Sequence, residues 1–304
     1  MARAPWMVSM HGGHSFPFCD HAMGALEDTV EAAEEAGFRV YGLTEHAPRL
    51  DDRFLYPTER ARGWNAARLA EHFDEWAELS AELLSQWRGE TRLLRGIEVE
   101  VVPAQTWLES VRALVDRHRL DYVVGAVHHV REIPIDGNEK DFARAVEAAG
   151  GVERLAVEFY KATGEMVTAL KPEVVAHFDL IRLRAARVGK INTPSVREAA
   201  RAALRAVQAA GSMLEVGAGA LRRGWRIPYP APWVLEMALE LGVPLTLGDG
   251  SHAVFEVGDG MDALRTYLLA RGVETVHFLD RAEDGRIVRK SASLEPPLEP
   301  APGG

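Results

Sequence analysis

Histidine and carboxylate side chains recur in this chain where short apolar runs end. His11 and His14 lie in SMHGGHS, His21 in FCDHAMG, His46 in GLTEHAP, His128 and His129 in VVGAVHHV, His177 in VVAHFDL and His252 in LGDGSH. These are eight of eleven histidines; His72 and His118 fall on helical patterns and His277 in a late strand, so histidine as scattered surface filler is a poor explanation. Glu98 and Asp249 end or follow two of the same runs. Imidazole nitrogens with a few carboxylates and no thiolate cluster suit Zn²⁺, Mn²⁺ or Fe²⁺ better than a structural zinc knot. The donors outnumber what one tetrahedral ion takes, which predicts two or three divalent ions. Such a centre suits hydrolysis, with one ion clamping a leaving group and others ionising a bridging water.

Donors spread from residue 11 to residue 252 meet only if the fold gathers its strand ends. Strands are predicted near 6–10, 38–43, 93–99, 122–127, 174–177, 213–216 and 244–247. Helices are predicted at 26–36, 65–87, 105–118, most of 139–168, 195–210, 232–241 and 261–270. Leu69, Phe73, Trp76, Leu79, Leu83 and Trp87 keep helical spacing and read as core. Ser195 and Glu198 match a capping box, with Gly211 as the stop. Short apolar strands joined by helices favour a parallel sheet. A closed barrel brings every C-terminal strand end to one rim, whereas an open doubly wound sheet converges mainly at its switch point. The barrel fits the donors better. Residues 275–279 and 286–290 read as terminal strands. The expected organisation is a single barrel domain over 1–292, followed by a Pro- and Gly-rich tail over 293–304.

The charge balance, 35 basic against 45 acidic residues, gives −10 and argues against a broad nucleic-acid or anionic-membrane surface. An anionic substrate stays compatible, because bound divalent ions reverse the sign locally. The one cysteine, Cys19, cannot form an internal disulfide. The stretch before the first strand lacks the apolar region of a signal peptide, and no run approaches the roughly 20 apolar residues that span a bilayer. A cytoplasmic enzyme with no membrane partner is expected; no feature sets an oligomeric state.

At these residues the chain resembles the PHP (polymerase and histidinol phosphatase) family, and within it the histidinol-phosphate phosphatases. The likeness runs from SMHGGHSFPFCDHA through TEHAP, GIEVE, GAVHH and AHFDL to LGDGSH, nearly the whole length. It implies an α/β fold, a distorted (β/α)7 barrel of TIM-barrel type. It also implies a trinuclear centre that hydrolyses a small phosphorylated metabolite, here L-histidinol phosphate, by attack of a metal-bridging hydroxide. By position it implies His11, His14, Glu98 and Asp249 on one ion, Glu98, His128 and His177 on a second, and His21, His46 and His252 on a third. Glu98, Asp249 and His252 would be catalytic, with Asp249 or metal-bound water protonating the leaving alkoxide.

Three departures from the family pattern stand out. His-Gly-Gly-His has one residue more between its histidines than usual, and the extra glycine lets the loop bulge. Gly250 occupies the usual aspartate position, with Asp249 just before it. Gly217 stands where related phosphatases commonly carry asparagine. Arginine matches phosphate with a planar fork of donors. The candidates are Arg182, Arg222, Arg223 and, in the lid-like DRFLYP loop, Arg53. Glu45 and Asp179 could orient metal-bound imidazoles, or act as caps or solvated acids. His129 is expected to face the core or lie behind the ligands, Cys19 to be a small buried residue, and His72 and His118 to be exposed. A different phosphoester, or a metal-binding barrel without turnover, are the competing functions.

Overall fold

Seven parallel strands carry the apolar runs, and each delivers its C-terminal end to the same rim. In the computed structural model, which describes residues 3–295, they are β1 (Val8–Ser9), β2 (Val40–His46), β3 (Arg92–Glu98) and β4 (Tyr122–Gly125). After a small hairpin, β5 (His129–Val130) and β6 (Ile133–Pro134), come β7 (Val174–Val175), β8 (Met213–Gly217) and β9 (Leu245–Gly248). The strand order is β1-β2-β3-β4-β7-β8-β9. The ends of that sheet meet: Met10 N donates to Leu247 O at 2.8 Å and Asp249 N to Ser9 Oγ at 3.0 Å. The result is a nearly closed, distorted (β/α)7 barrel.

Helices cover the outside. Asn65 caps Ala66–Gln86, its side chain accepting from Arg68 N at 2.8 Å, and that helix buries Leu69, Phe73, Trp76 and Ala77. The stretch expected as one helical block over 139–168 is two helices, Glu139–Ala149 and Val152–Leu170, separated by left-handed Gly150. The helix expected from Ser195 begins at Pro194 with Thr193 as its cap, because proline's fixed φ suits the first helical position. Ser195 is not the cap; its hydroxyl pairs with Glu153 instead.

The last two strands fill the barrel floor. β10 (Thr275–Arg281) and β11 (Ile287–Ser293) form an antiparallel hairpin. Phe278 and Leu279 pack with Val8, Met10, Val40, Leu94, Val124, Val174 and Met213. The interior below the rim is therefore packed rather than hollow. The fold runs past the expected boundary at residue 292: Ser293 ends β11 and Leu294 is fully buried. The rest of the Pro- and Gly-rich tail, 296–304, lies outside the described residues. Among the described residues no helix is long and apolar enough to cross a membrane.

Asp280 fastens the plug. Its buried carboxylate accepts from Arg92 Nη1, Lys290 Nζ and Arg281 N, each at 2.8 Å. Burial opposes ionisation, but the bonds to Lys290 and Arg92 outweigh it and hold the carboxyl below its usual range. The folded state therefore gains stability from this group above the unfolded carboxyl pKa and loses it as pH falls through the lower folded value. Asp280→Asn should cost roughly 1–3 kcal/mol in urea unfolding at pH 7. That deficit should shrink below about pH 4, where the unfolded chain's carboxyl takes up a proton, and vanish once pH passes the lower folded value.

Candidate metal centre

Parallel pairing sets His46 directly beside Glu98, the last residues of β2 and β3. From there the rim converges on Glu98. Around its Oε2 lie His11 Nε2 at 3.3 Å, His14 Nε2 at 3.4 Å and His46 Nδ1 at 3.1 Å. Around Oε1 lie His128 Nε2 at 3.3 Å and His177 Nε2 at 2.9 Å. Five imidazoles from three loops and one strand end thus share one carboxylate.

These contacts are not a set of ordinary hydrogen bonds. His11 Nε2, His14 Nε2 and His46 Nδ1 are buried without a hydrogen-bonding partner, although Glu98 is near. A buried polar atom left so is costly and calls for an explanation. Donors bound to one ion at about 2.1 Å stand roughly 3.0–3.4 Å from one another, the spacing seen here. The donor set fits divalent ions. His11, His14 and Glu98 form one group, Glu98, His128 and His177 a second, and Cys19, His21, His46 and His252 a third.

Electrostatics prepares the rings unequally. Burial, opposed by Glu98 and reinforced by His14, holds His46 well below its ordinary pKa; burial and the neighbouring histidines do the same to His252. At His11 burial is overcome by Glu215 and Glu98, and the ring is pushed up to about 10; Glu100 and Glu98 likewise raise His128. Glu98 itself stays well below the carboxylate range, because His46 and His11 outweigh its burial. The acids draw positive charge into the rim, the role a divalent cation would take over.

Carboxylates behind the rings aim them. Glu215, on β8, meets His11 Nδ1 at 2.9 Å and accepts from His177 N at 2.6 Å. Glu100 meets His128 Nδ1 at 3.4 Å and His129 Nδ1 at 3.5 Å, and binds Arg49 Nη1 at 3.0 Å. Glu45 lies 3.5 Å from His14 Nδ1 and accepts from His46 N at 2.9 Å. A carboxylate on the second ring nitrogen fixes tautomer and orientation and raises the basicity of the first. Glu215 and Glu100 were missed by sequence reasoning. The available signal was an acid inside an apolar strand run, MLEVG, and a second acid two residues after Glu98.

Asp249 does not join the cluster. Its carboxylate is consumed by Ser9 Oγ (3.1 Å), Tyr41 OH (3.0 Å) and Gly258 N (3.2 Å), beneath the first histidine loop. Burial pushes its carboxyl up. It braces the rim from below and lies outside the three groups of converging donors. In the His-Gly-Gly-His turn, Gly13 takes φ +73°, and both rings still reach the same oxygen of Glu98. Gly217 lines the cavity, where a Cβ would come within 3.1 Å of Glu215.

The cluster lines a cavity of about 510 Å³. Arg222 and Arg223 line it too; Arg182 and Arg53 do not. Arg222 donates to Gly250 O at 2.5 Å, yet its buried Nη1 has no protein partner. Arg182 is spent on Asp179 and Pro228 O and stacks on Trp225 and Tyr229. Asp179 accordingly anchors that loop, accepting also from Ala231 N at 2.8 Å, instead of orienting a ligand. Arg53 is solvent-exposed against Asp51. His72 is buried against Trp64, and His118 half-buried on Asp74, so the expected exposure fails for both. His129 is buried beside Phe54 and outside the three donor groups, and Cys19 is buried but inside one.

A (β/α)7 barrel whose rim gathers imidazoles around a buried glutamate defines a class of metal-dependent hydrolases. The model of the PHP domain matches residues 11–218, more than half of the chain, and the protein belongs to that family. It is 33% identical over 282 residues to a protein of Schizosaccharomyces pombe named "Probable histidinol-phosphatase", covering 91% of each chain. A solved chain from Listeria monocytogenes superposes with TM-score 0.68 at 20% identity, covering 84% of this chain and 99% of that one. The histidinol phosphate phosphatase of Lactococcus lactis, solved with zinc, L-histidinol and phosphate, superposes with TM-score 0.58 at 20% identity, covering 86% and 93%.

Glu215 gives a test of how the rim is aimed. A Cβ on Gly248 would fall 1.9 Å from Glu215 Oε1, so Gly248→Ala should displace that carboxylate from His11. Gly248→Ala and Glu215→Ala should each weaken metal retention about 10- to 100-fold in chelator competition.

Proposed function

We propose that this chain is a metal-dependent phosphomonoesterase that hydrolyses L-histidinol phosphate to L-histidinol and phosphate. One observation carries the reading: five imidazole nitrogens share the buried Glu98 in the wall of a cavity that also presents arginine. The names of the fungal relative and the Lactococcus lactis protein support the same substrate.

His11, His14, Glu98, His128 and His177 would hold the ions nearest the reaction, and His21, His46 and His252 a further one. Bound divalent ions supply Lewis-acid charge for the phosphoryl oxygens and for ionising the attacking water. The zinc of the Lactococcus protein and the nitrogen-rich donor set favour zinc here.

The chain's own contribution is charge placement. Arg222 and Arg223 line the cavity and would receive the substrate's phosphate, with Arg222 Nη1 a buried donor in want of an acceptor. Glu215 and Glu100 keep the His11 and His128 rings turned to Glu98. Asp136 lines the same cavity, its carboxylate accepting from Tyr56 OH at 3.2 Å. It suits the cationic amine of an amino-alcohol phosphate and gives that substrate an advantage over uncharged esters.

Phosphate release should be measured on a panel of monoesters and scored by kcat/KM, with metal content determined on the same sample. Histidinol phosphate should lead the panel; a clear preference for another ester would replace the substrate, and no turnover with metal bound would leave a non-catalytic barrel. Glu98→Ala should abolish turnover and metal retention while circular dichroism stays that of the folded protein. Arg222→Ala should lower kcat/KM about 10- to 100-fold, the equivalent of one charge-assisted hydrogen bond. Asp136→Asn should raise KM for histidinol phosphate and leave that for an uncharged ester such as phenyl phosphate unchanged.

A further inference from the structure

Cys19 lies four residues beyond Ser15, in a turn held by Cys19 N donating to Ser15 O at 2.9 Å. The turn carries its thiol inward, where it is 4% exposed and lines the cavity. Cys19 Sγ stands 3.4 Å from Nδ1 and 3.6 Å from Nε2 of His21. Donor atoms of Cys19, His21, His46 and His252 all lie within 4.8 Å of one another. Bonds of about 2.3 Å to sulfur and 2.0–2.1 Å to nitrogen put the two donors of a tetrahedron roughly 3.6 Å apart, matching the sulfur–ring separations. A second observation points the same way: His46 Nε2, the ring nitrogen not directed at Glu98, is buried without a hydrogen-bonding partner.

We propose that Cys19 is a thiolate ligand of the ion held by His21, His46 and His252. As the metal–sulfur bond forms, the S–H bond breaks and its proton leaves to solvent. Cys19 would join the three imidazoles in holding that ion and so tie the turn after His14 to the rim. Sulfur also makes this position select zinc over manganese. The inference rests on the metal-centre reading above but assigns a ligand that the reading does not require.

Cobalt tests it. The chain has a single cysteine, so any thiolate-to-cobalt charge-transfer band in the near ultraviolet belongs to Cys19. The wild-type protein, stripped with chelator and reloaded to saturation with Co²⁺ alone, should show that band. Cys19→Ala should lose it and release one ion at least about tenfold more readily, since a direct ligand should matter no less than the partners behind it. Cobalt bound to saturation without the band overturns the inference and leaves the metal centre standing. Failure of the folded protein to take up cobalt overturns both.

Discussion

A carboxylate buried to 1% exposure, as Glu98 is, would ordinarily protonate or destabilise the fold. Here it is surrounded by five imidazole nitrogens, and its negative charge becomes the feature that the rim is built to neutralise. The arrangement balances only when positive charge sits among those rings. Glu98 and the acids behind the rings raise the pKa of His11 and His128 against the effect of burial. The architecture follows from that demand. Three loops and a strand end must bring their rings within reach of one residue, and a barrel rim gathers them there.

The network behind the rings matters as much as the rings. Glu215, Glu100 and Glu45 each engage a histidine or its backbone, and Arg49 ties Glu100 to Glu59. Charge therefore alternates in shells from Glu98 outward, and no buried acid of the site is left without a basic neighbour. Rigidity comes from below, where the terminal hairpin packs Phe278 and Leu279 into the barrel and closes the end opposite the site. The fold has one end for packing and one for chemistry, as in other barrels.

The cavity is not uniformly charged. Arg222 and Arg223 line one part of the wall, while Asp20, Asp136 and Glu256 line others. A substrate with a phosphate and a basic remainder fits such a surface better than one carrying a single sign. The overall charge of −10 says little about this, since net charge governs solubility and long-range attraction, not the arrangement inside one pocket.

The donor inventory was legible in the sequence because strand ends are local features: an apolar run followed by histidine or glutamate shows without knowledge of the fold. Alternating runs and helices also sufficed for the barrel, since a parallel sheet that must gather distant strand ends has few other solutions. Which acid stands behind His11, however, depended on register. Asp249 and Glu215 are each near the end of a strand, and only the packed structure shows Asp249 spent on Ser9 and Tyr41 while Glu215 turns to the imidazole. Arg182 and Arg222 likewise look alike as residue types, but loop path gives one to Asp179 and an aromatic stack and the other to the cavity. Helical spacing told that His72 was on a helix but not that Trp64 would cover it. Composition and periodicity decide which groups a chain carries and roughly which rim they reach. The partner of each group is decided by contacts of 3 Å between segments far apart in sequence, which exist only after the chain has packed.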